Sequence, residues 1–149
     1  MLKIIEGDIL EIKEGIIMHQ VNTRGVTGGL AGALRRKYPE AFDHYDRACR
    51  IRKRDALGHC CLEVAAIGDP PLIIAHIFGQ PQPGPNTDYA AVDTALGKLA
   101  YYLEGDSGKD TQIFAPYKIG CGLGGGDWVQ YSAIIEKHLP QTIIVRKYG

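Results

Sequence analysis

The sequence predicts an α/β protein, a three-layer α/β/α sandwich around a mixed central sheet of about six strands. Three observations carry this. Short apolar runs alternate with stretches of helical periodicity along most of the chain. The run Ile16–Val21 (IIMHQV) is nearly continuously apolar, as expected of a strand covered on both faces. Two further runs, Cys60–Ile67 and Leu72–Phe78, are separated only by the turn Gly68–Pro71 (GDPP), close enough for a hairpin and so for a mixed sheet.

Taken in order, Leu2–Glu6 is a short apolar strand followed by Gly7-Asp8-Ile9-Leu10. After the strand Ile16–Val21 comes a glycine-rich loop, Asn22–Gly29 (NTRGVTGG). Leu30, Ala31, Leu34 and Tyr38 then recur at helical spacing until Pro39 breaks the helix. A second helix is expected over about Glu40–Arg52, with Phe42, Tyr45 and Cys49 as its apolar stripe. Beyond the hairpin, Gln80–Asn86 (QPQPGPN) is a proline-rich loop, either a rim over a ligand or a plain connection. Asn86 or Thr87 can cap the next helix, whose buried stripe is Val92, Ala95, Leu96, Leu99, Ala100 and Leu103. Gly105–Lys109 (GDSGK) is a turn whose spacing and position do not fit a P-loop. Thr111–Ala115 is a strand, a helix runs from Trp128 to about His138 with Tyr131, Ile135 and Leu139 inward, and Thr142–Val145 closes the sheet.

A length of 149 residues suits one domain, and no internal repeat or linker is visible. Lys plus Arg and Asp plus Glu both number 17, and this neutral balance argues against a general grip on nucleic acid. The basic run Arg47–Arg54 reads as a solvated helix face. The four cysteines (Cys49, Cys60, Cys61 and Cys121) form no C-x-x-C pair, so neither a disulfide framework nor a zinc site is expected, and a reducing cytoplasm is the simplest setting. No leader and no membrane span is apparent. A monomer with no metal, no cofactor and no membrane partner is the resulting expectation.

The stretch Ile113–Trp128 (IFAPYKIGCGLGGGDW) is the most informative. A strand end passes through Gly120, Gly122, Gly124, Gly125 and Gly126 into a helix, so bare backbone N–H groups can approach an anion. A floppy connection is the alternative, but such connections are polar and Ser-rich. The Asn22–Gly29 loop repeats the design: buried strand, glycines, helix. Two such loops side by side beyond the carboxyl ends of strands would offer two banks of N–H groups to one pyrophosphate. The spacing Gly120-x-Gly122-x-x-Gly125 also matches a dinucleotide fingerprint, but the closing strand ends in Arg146 and Lys147 and supplies no acid where that fingerprint needs one.

The pieces GDIL (Gly7–Leu10), HQVNTRGVTGGLAGALRRKYPEAF (His19–Phe42) and IGCGLGGGDW (Ile119–Trp128) together resemble the macrodomain family, over nearly the whole chain and in order. Macrodomains bind ADP-ribose, and many hydrolyse its derivatives. The His-x-x-Asn-x-x-Gly-x-x-Gly-Gly arrangement and the Lys-Tyr-Pro ending resemble the branch of the yeast-type ADP-ribose-1''-phosphate phosphatase. IGCGL and the following Trp also resemble the terminal ADP-ribose-protein glycohydrolases. The resemblance implies that Asp8 accepts from the adenine amino group, with Ile9 giving a backbone N–H. It implies that Asn22 binds the distal ribose and that Gly28, Gly29, Leu30 and Ala31 wrap that ribose and a phosphate. Ile119, Gly120, Cys121, Gly122 and Leu123 would hold the pyrophosphate. Arg146, near the last strand, is the candidate to stack on the adenine.

For chemistry, the resemblance points to His19 as the proton carrier, assisted by Asn22 and Asp127. A lone histidine in an apolar strand also reads as a hydrogen-bonded core residue, and Asp127 with Gln130 also reads as a capping box. Cys121 is either a small packed residue or a nucleophile of lowered pKa. The glycohydrolase branch uses a lysine after the fourth strand and an acid directly after GCGL. Here His76–Asn86 contains no lysine and Gly124 follows Leu123, which favours a phosphatase or substrate-assisted hydrolysis over a lysine mechanism. A mono-ADP-ribosyl glycohydrolase acting on protein or nucleic acid, and a reader that binds ADP-ribose without turnover, remain the alternatives.

Overall fold

A computed structural model describes residues 1–105, 110–122 and 124–147. Six strands, β1 (Lys3–Glu6), β2 (Gly15–Asn22), β3 (Cys60–Ala66), β4 (Leu72–Gln80), β5 (Ile113–Pro116) and β6 (Ile143–Arg146), form one sheet in the order β1-β6-β5-β2-β4-β3. All neighbours are parallel except the β3–β4 hairpin, so the sheet is mixed. Among the described residues four helices cover it: α1 (Gly29–Lys37), α2 (Asp43–Ile51), α3 (Tyr89–Tyr102) and α4 (Trp128–His138).

Strand alternation sorts the central β2 residues to two cores. Ile16 and Met18 join Val92, Leu96, Leu99, Tyr131 and Ile135 under α3 and α4. Ile17 and Val21 join Leu34, Phe42, Tyr45 and Phe78 under α1 and α2. The molecule is therefore a three-layer α/β/α sandwich, and β2, sealed on both faces, is its spine.

Several boundaries differ from the sequence expectation, each for a visible reason. The second helix is not continuous from Glu40: Pro39–Phe42 is a 3-10 turn and α2 begins at Asp43. No side chain of its own caps α2; the Glu63 carboxylate from β3 accepts from the His44 N–H at 2.7 Å and the Tyr45 N–H at 3.1 Å instead. α3 is capped by Asp88, which accepts from the Ala91 N–H, and not by Asn86 or Thr87. Those two are engaged elsewhere: Asn86 donates to the Pro83 carbonyl and Thr87 donates to the Gly120 carbonyl. β4 runs on to Gln80 and so takes the first residue of the proline-rich loop into the sheet. Residues 106–109 of the Gly105–Lys109 turn lie outside the described residues, as does Leu123.

Candidate functional site

The parallel strands β2, β4 and β5 end on one side of the sheet, and a cleft of about 590 Å³ opens there, within the range of small-molecule sites. Its walls are the end of β2 from His19 to Asn22, the first turn of α1 from Gly28 to Ala31, and the second glycine loop from Pro116 to Gly120 with Gly122 and Gly124. Gln80, Pro83 and Gly84 of the proline-rich loop close one side, so that loop is a rim. The two glycine loops, about 90 residues apart in sequence, thus face one cavity.

The first loop is held open by Asn22. Its Nδ2 donates to the Val26 carbonyl at 2.8 Å and its Oδ1 accepts from the Arg24 N–H at 2.9 Å, which folds the loop over its own side chain. The Asn22 carbonyl in turn accepts from the Tyr45 hydroxyl at 3.0 Å. Downstream, Gly28 caps α1 in an extended conformation and provides no side-chain cap. The Gly32 N–H reaches the Gly28 carbonyl, which leaves the N–H groups of Gly29, Leu30 and Ala31 without an intrahelical acceptor. That uncapped helix end looks into the cleft.

The second loop is held from beneath by Gln20. The Gln20 amide donates to Gln80 Oε1 and to Thr87 Oγ1, both at 2.8 Å, and its Oε1 accepts from the Tyr131 hydroxyl at 2.8 Å. Gly120 sits on this hub at φ 71°, and a Cβ there would stand 2.4 Å from the Tyr131 ring. Gly122, in contrast, faces open space. The N–H groups of Cys121, Gly125 and Gly126 are used inside the loop, whereas those of Gly120 and Gly122 have no acceptor among the described residues. Lys118, at φ 61°, is the charged side chain in the wall, with Nζ 5.6 Å from the Tyr117 ring centroid. A mostly apolar cleft with, among the described residues, one cation and two groups of open N–H donors suits an anionic ligand.

His19 is 1% exposed and lines the cleft from the α1/α2 side of β2. It is in register with His76 on β4, and His19 Nε2 lies 2.8 Å from His76 Nδ1. His76 Nε2 lies 2.9 Å from Glu63 Oε2 and 2.8 Å from the Ala41 carbonyl. Burial, and secondarily the neighbouring His76, push the His19 pKa well below its ordinary 6.5. Near neutral pH the imidazole is therefore uncharged. For Glu63, burial raises the carboxyl pKa, but the hydrogen bonds from His76 and from the His44 and Tyr45 N–H groups outweigh it and hold the group below its usual value.

Other sequence candidates sit outside the cleft wall. Asp127 is exposed and caps α4, its Oδ1 accepting from the Val129 N–H at 2.9 Å. The capping box is only half formed, because the Asp127 N–H donates to the Tyr89 hydroxyl at 2.6 Å and not to Gln130. Asp127 and His19 are not brought together. Cys121 turns its thiol to the Ile119 carbonyl, and burial together with the Asp127 charge raises its pKa, the reverse of an activated nucleophile. Asp8 lies at the same end of the sheet but on its edge. It caps the turn Ile9–Glu11 by accepting from the Leu10 N–H at 3.0 Å and pairs with Lys147 at 3.1 Å. The Leu10 N–H and then Lys147 hold its carboxyl below the ordinary range. Arg146 pairs with Glu6 at 2.6 Å and lies 5.6 Å from the ring centroid of Tyr117, which itself lines the cleft.

Gln20, Gln80, Tyr117, Lys118, His76 and Glu63 were missed by sequence reasoning. The glutamines carry no motif, and Tyr131 read only as apolar. A signal did exist for the histidines: each occupies the same place in an otherwise apolar strand. Among the described residues no group of three or more His, Cys, Asp or Glu could hold a metal ion, and no helix is long and apolar enough to cross a membrane.

No protein-family model matches the chain. It is 28% identical over 148 residues to an uncharacterized 17.5 kDa protein of Enterobacteria phage T4, covering 97% of this chain and 94% of that one. A stretch of 41 residues, 27% of the chain, is 49% identical to polyprotein P1234 of Venezuelan equine encephalitis virus, and the match spans 2% of that polyprotein. Among solved structures, a protein of unknown function from Bacteroides thetaiotaomicron superposes with a TM-score of 0.80 at 26% identity, covering 99% of this chain and 98% of that one. The macrodomain of Mycobacterium tuberculosis DarG gives 0.76 at 24% identity, covering 100% and 98%. Thermosipho africanus DarTG, solved with ADP-ribose, gives 0.74 at 17% identity, covering 98% of this chain and 42% of that one. The fold is macrodomain-like.

Proposed function

We propose that the cleft binds ADP-ribose and that the protein hydrolyses an ADP-ribose derivative, of the ADP-ribose-1''-phosphate type. The observation that carries this reading is the convergence on one cleft of the uncapped N-terminus of α1 and the open N–H groups of Gly120 and Gly122, with Lys118 beside them. Those donors match a pyrophosphate, which needs several N–H groups and compensating positive potential but no metal. Gly28 to Ala31 would take the distal ribose and one phosphate, Ile119 to Gly122 the other. The adenine would extend toward Tyr117 and the edge of the sheet, where Asp8 can accept from its amino group. The solved DarTG complex with ADP-ribose, on the same fold, supports the ligand class.

In the hydrolysis, a water oxygen attacks phosphorus, the P–O bond to the ribose C1'' oxygen breaks, and the ribose hydroxyl leaves with a proton. Neutral His19 would take the proton from water and return it to the leaving oxygen. The test is calorimetric titration with ADP-ribose beside phosphate release from ADP-ribose-1''-phosphate. Binding with release, the release lost in His19→Ala, is expected. Absence of release by the wild type at high enzyme loading removes the phosphatase reading, and absence of heat removes the ligand. ADP-ribosylated protein and DNA in the same assay test the glycohydrolase reading. A second reading, binding without turnover, is favoured by the depth of His19 and by the use of Asp127 as a helix cap.

A further inference from the structure

Three buried polar side chains run in a line through the α1/α2 core, from β3 across β4 to the cleft. Strand register creates the line. His19 and His76 are paired on parallel neighbours, and Glu63 lies two residues along β3 from Cys61, the partner of His76, so all three project from one face. Phe42 packs edge-on against both imidazoles, with ring centroids 5.8 and 4.7 Å away, and Tyr45 lies 5.4 Å from His76. In this setting the partners of each ring nitrogen are few and fixed, so the proton positions can be read along the chain.

Glu63 is an acceptor, and so is the Ala41 carbonyl; both face His76 Nε2, which therefore carries the proton. The Glu63 carboxylate also accepts from the first N–H groups of α2, so its charge is met by donors besides His76. With its single proton on Nε2, His76 presents a lone pair at Nδ1, and His19 Nε2 at 2.8 Å donates to it. One atom remains: His19 Nδ1 is buried and has no hydrogen-bond partner among the described residues. A buried polar atom left unsatisfied costs on the order of 1–3 kcal/mol, and a donor arriving from the cleft would remove that cost.

We propose that Glu63 and His76 are positioning residues that hold His19 in its Nε2–H tautomer, so that the Nδ1 lone pair awaits a hydroxyl donor of the bound ligand or the attacking water. The identity of that donor rests on the proposed ADP-ribose reading; the tautomer does not. The arrangement also gives His19 its direction of proton transfer, from the cleft to the imidazole, with the excess positive charge steadied through His76 by Glu63.

Imidazole nitrogen NMR on the 15N-histidine-labelled full chain tests this, with His19 assigned by its loss in His19→Gln. The expected result is a pyridine-type Nδ1 and a pyrrole-type Nε2 for His19; the opposite pattern overturns the proposal. In His76→Phe, which removes the acceptor, His19 should become a mixture of tautomers, and ADP-ribose affinity should fall on the order of tenfold. A His19 spectrum unchanged in that variant also overturns it. Glu63→Gln should shift the His76 resonances while thermal unfolding stays cooperative; if that variant fails to fold, the wild-type tautomer still decides. Added ADP-ribose should move the Nδ1 resonance. Heat of binding without that movement refutes the hydroxyl contact and leaves the ligand reading intact. Absence of heat refutes the ligand reading while the tautomer stays measurable.

Discussion

The two glycine loops look like copies in the sequence, and the structure makes them opposites. The first ends in a helix with no cap: Gly28 has no side chain, and the first N–H groups of α1 face the cleft. The second ends in a capped helix: Asp127 occupies the N-terminus of α4 with a carboxylate, so its dipole is answered internally. What the second loop offers a ligand lies earlier, at Gly120 and Gly122, where a left-handed turn braced on Gln20 and Tyr131 leaves two donors open. A helix end and a left-handed turn can thus present similar donors, but the first depends on the absence of a side chain and the second on a packed platform beneath it.

The sharpest way to break the second loop is Gly120→Ala. A Cβ at φ 71° and 2.4 Å from the Tyr131 ring combines backbone strain with overpacking. The expected loss is about 2–4 kcal/mol in denaturant unfolding, and a change under about 1 kcal/mol would refute the platform. The first loop should respond in the other currency. Gly28→Asp supplies the missing cap, so stability should hold or rise by a few tenths of a kcal/mol while ADP-ribose affinity falls about 100-fold, near 2.7 kcal/mol by calorimetry. Unchanged affinity there would mean that the α1 terminus does not meet the anion.

Asp127→Ala should cost about 1 kcal/mol of stability and leave ADP-ribose affinity within about twofold. Asp127→Asn, which can still cap, should recover the stability; if turnover drops in the Asn variant although the fold is restored, Asp127 has a chemical role after all. The pH response separates the cores beneath the two loops. The folded pKa of His19 lies below the unfolded value of 6.5, so the unfolded chain binds more protons in that window. The stability that His19 contributes is complete above pH 6.5 and declines as pH falls toward the folded pKa. Unfolding midpoints measured from pH 8 to 5 should show this decline, and His19→Gln should flatten it. The smallest effect is expected for Gly122→Ala, within about 0.5 kcal/mol of the parent, because a Cβ there meets open space.

Elements built from local pattern were legible. The apolar run Ile16–Val21, the GDPP turn and the helical spacing of Val92, Leu96 and Leu99 led to the six strands, the mixed sheet and three of the four described helices with small boundary errors. The second helix was misplaced because its N-terminal partner, Glu63, comes from a strand 18 residues or more away. The cleft-lining glycines were legible because bare backbone leaves a mark in composition. Gln20, Tyr117 and Lys118 were not, since a glutamine, a tyrosine or a lysine in a short loop has many uses and its neighbours are set elsewhere.

By itself the sequence determined where the backbone would be bare, which faces would be buried, and hence the layers of the sandwich, because hydrophobic period and glycine placement act over a few residues at a time. Only the tertiary structure decided which helix end is open, which carboxylate is a cap, and which histidine nitrogen lacks a partner. Those depend on the register of strands and the meeting of loops far apart in the chain, where a single neighbour at hydrogen-bond distance decides whether a polar group is already satisfied or still free to bind.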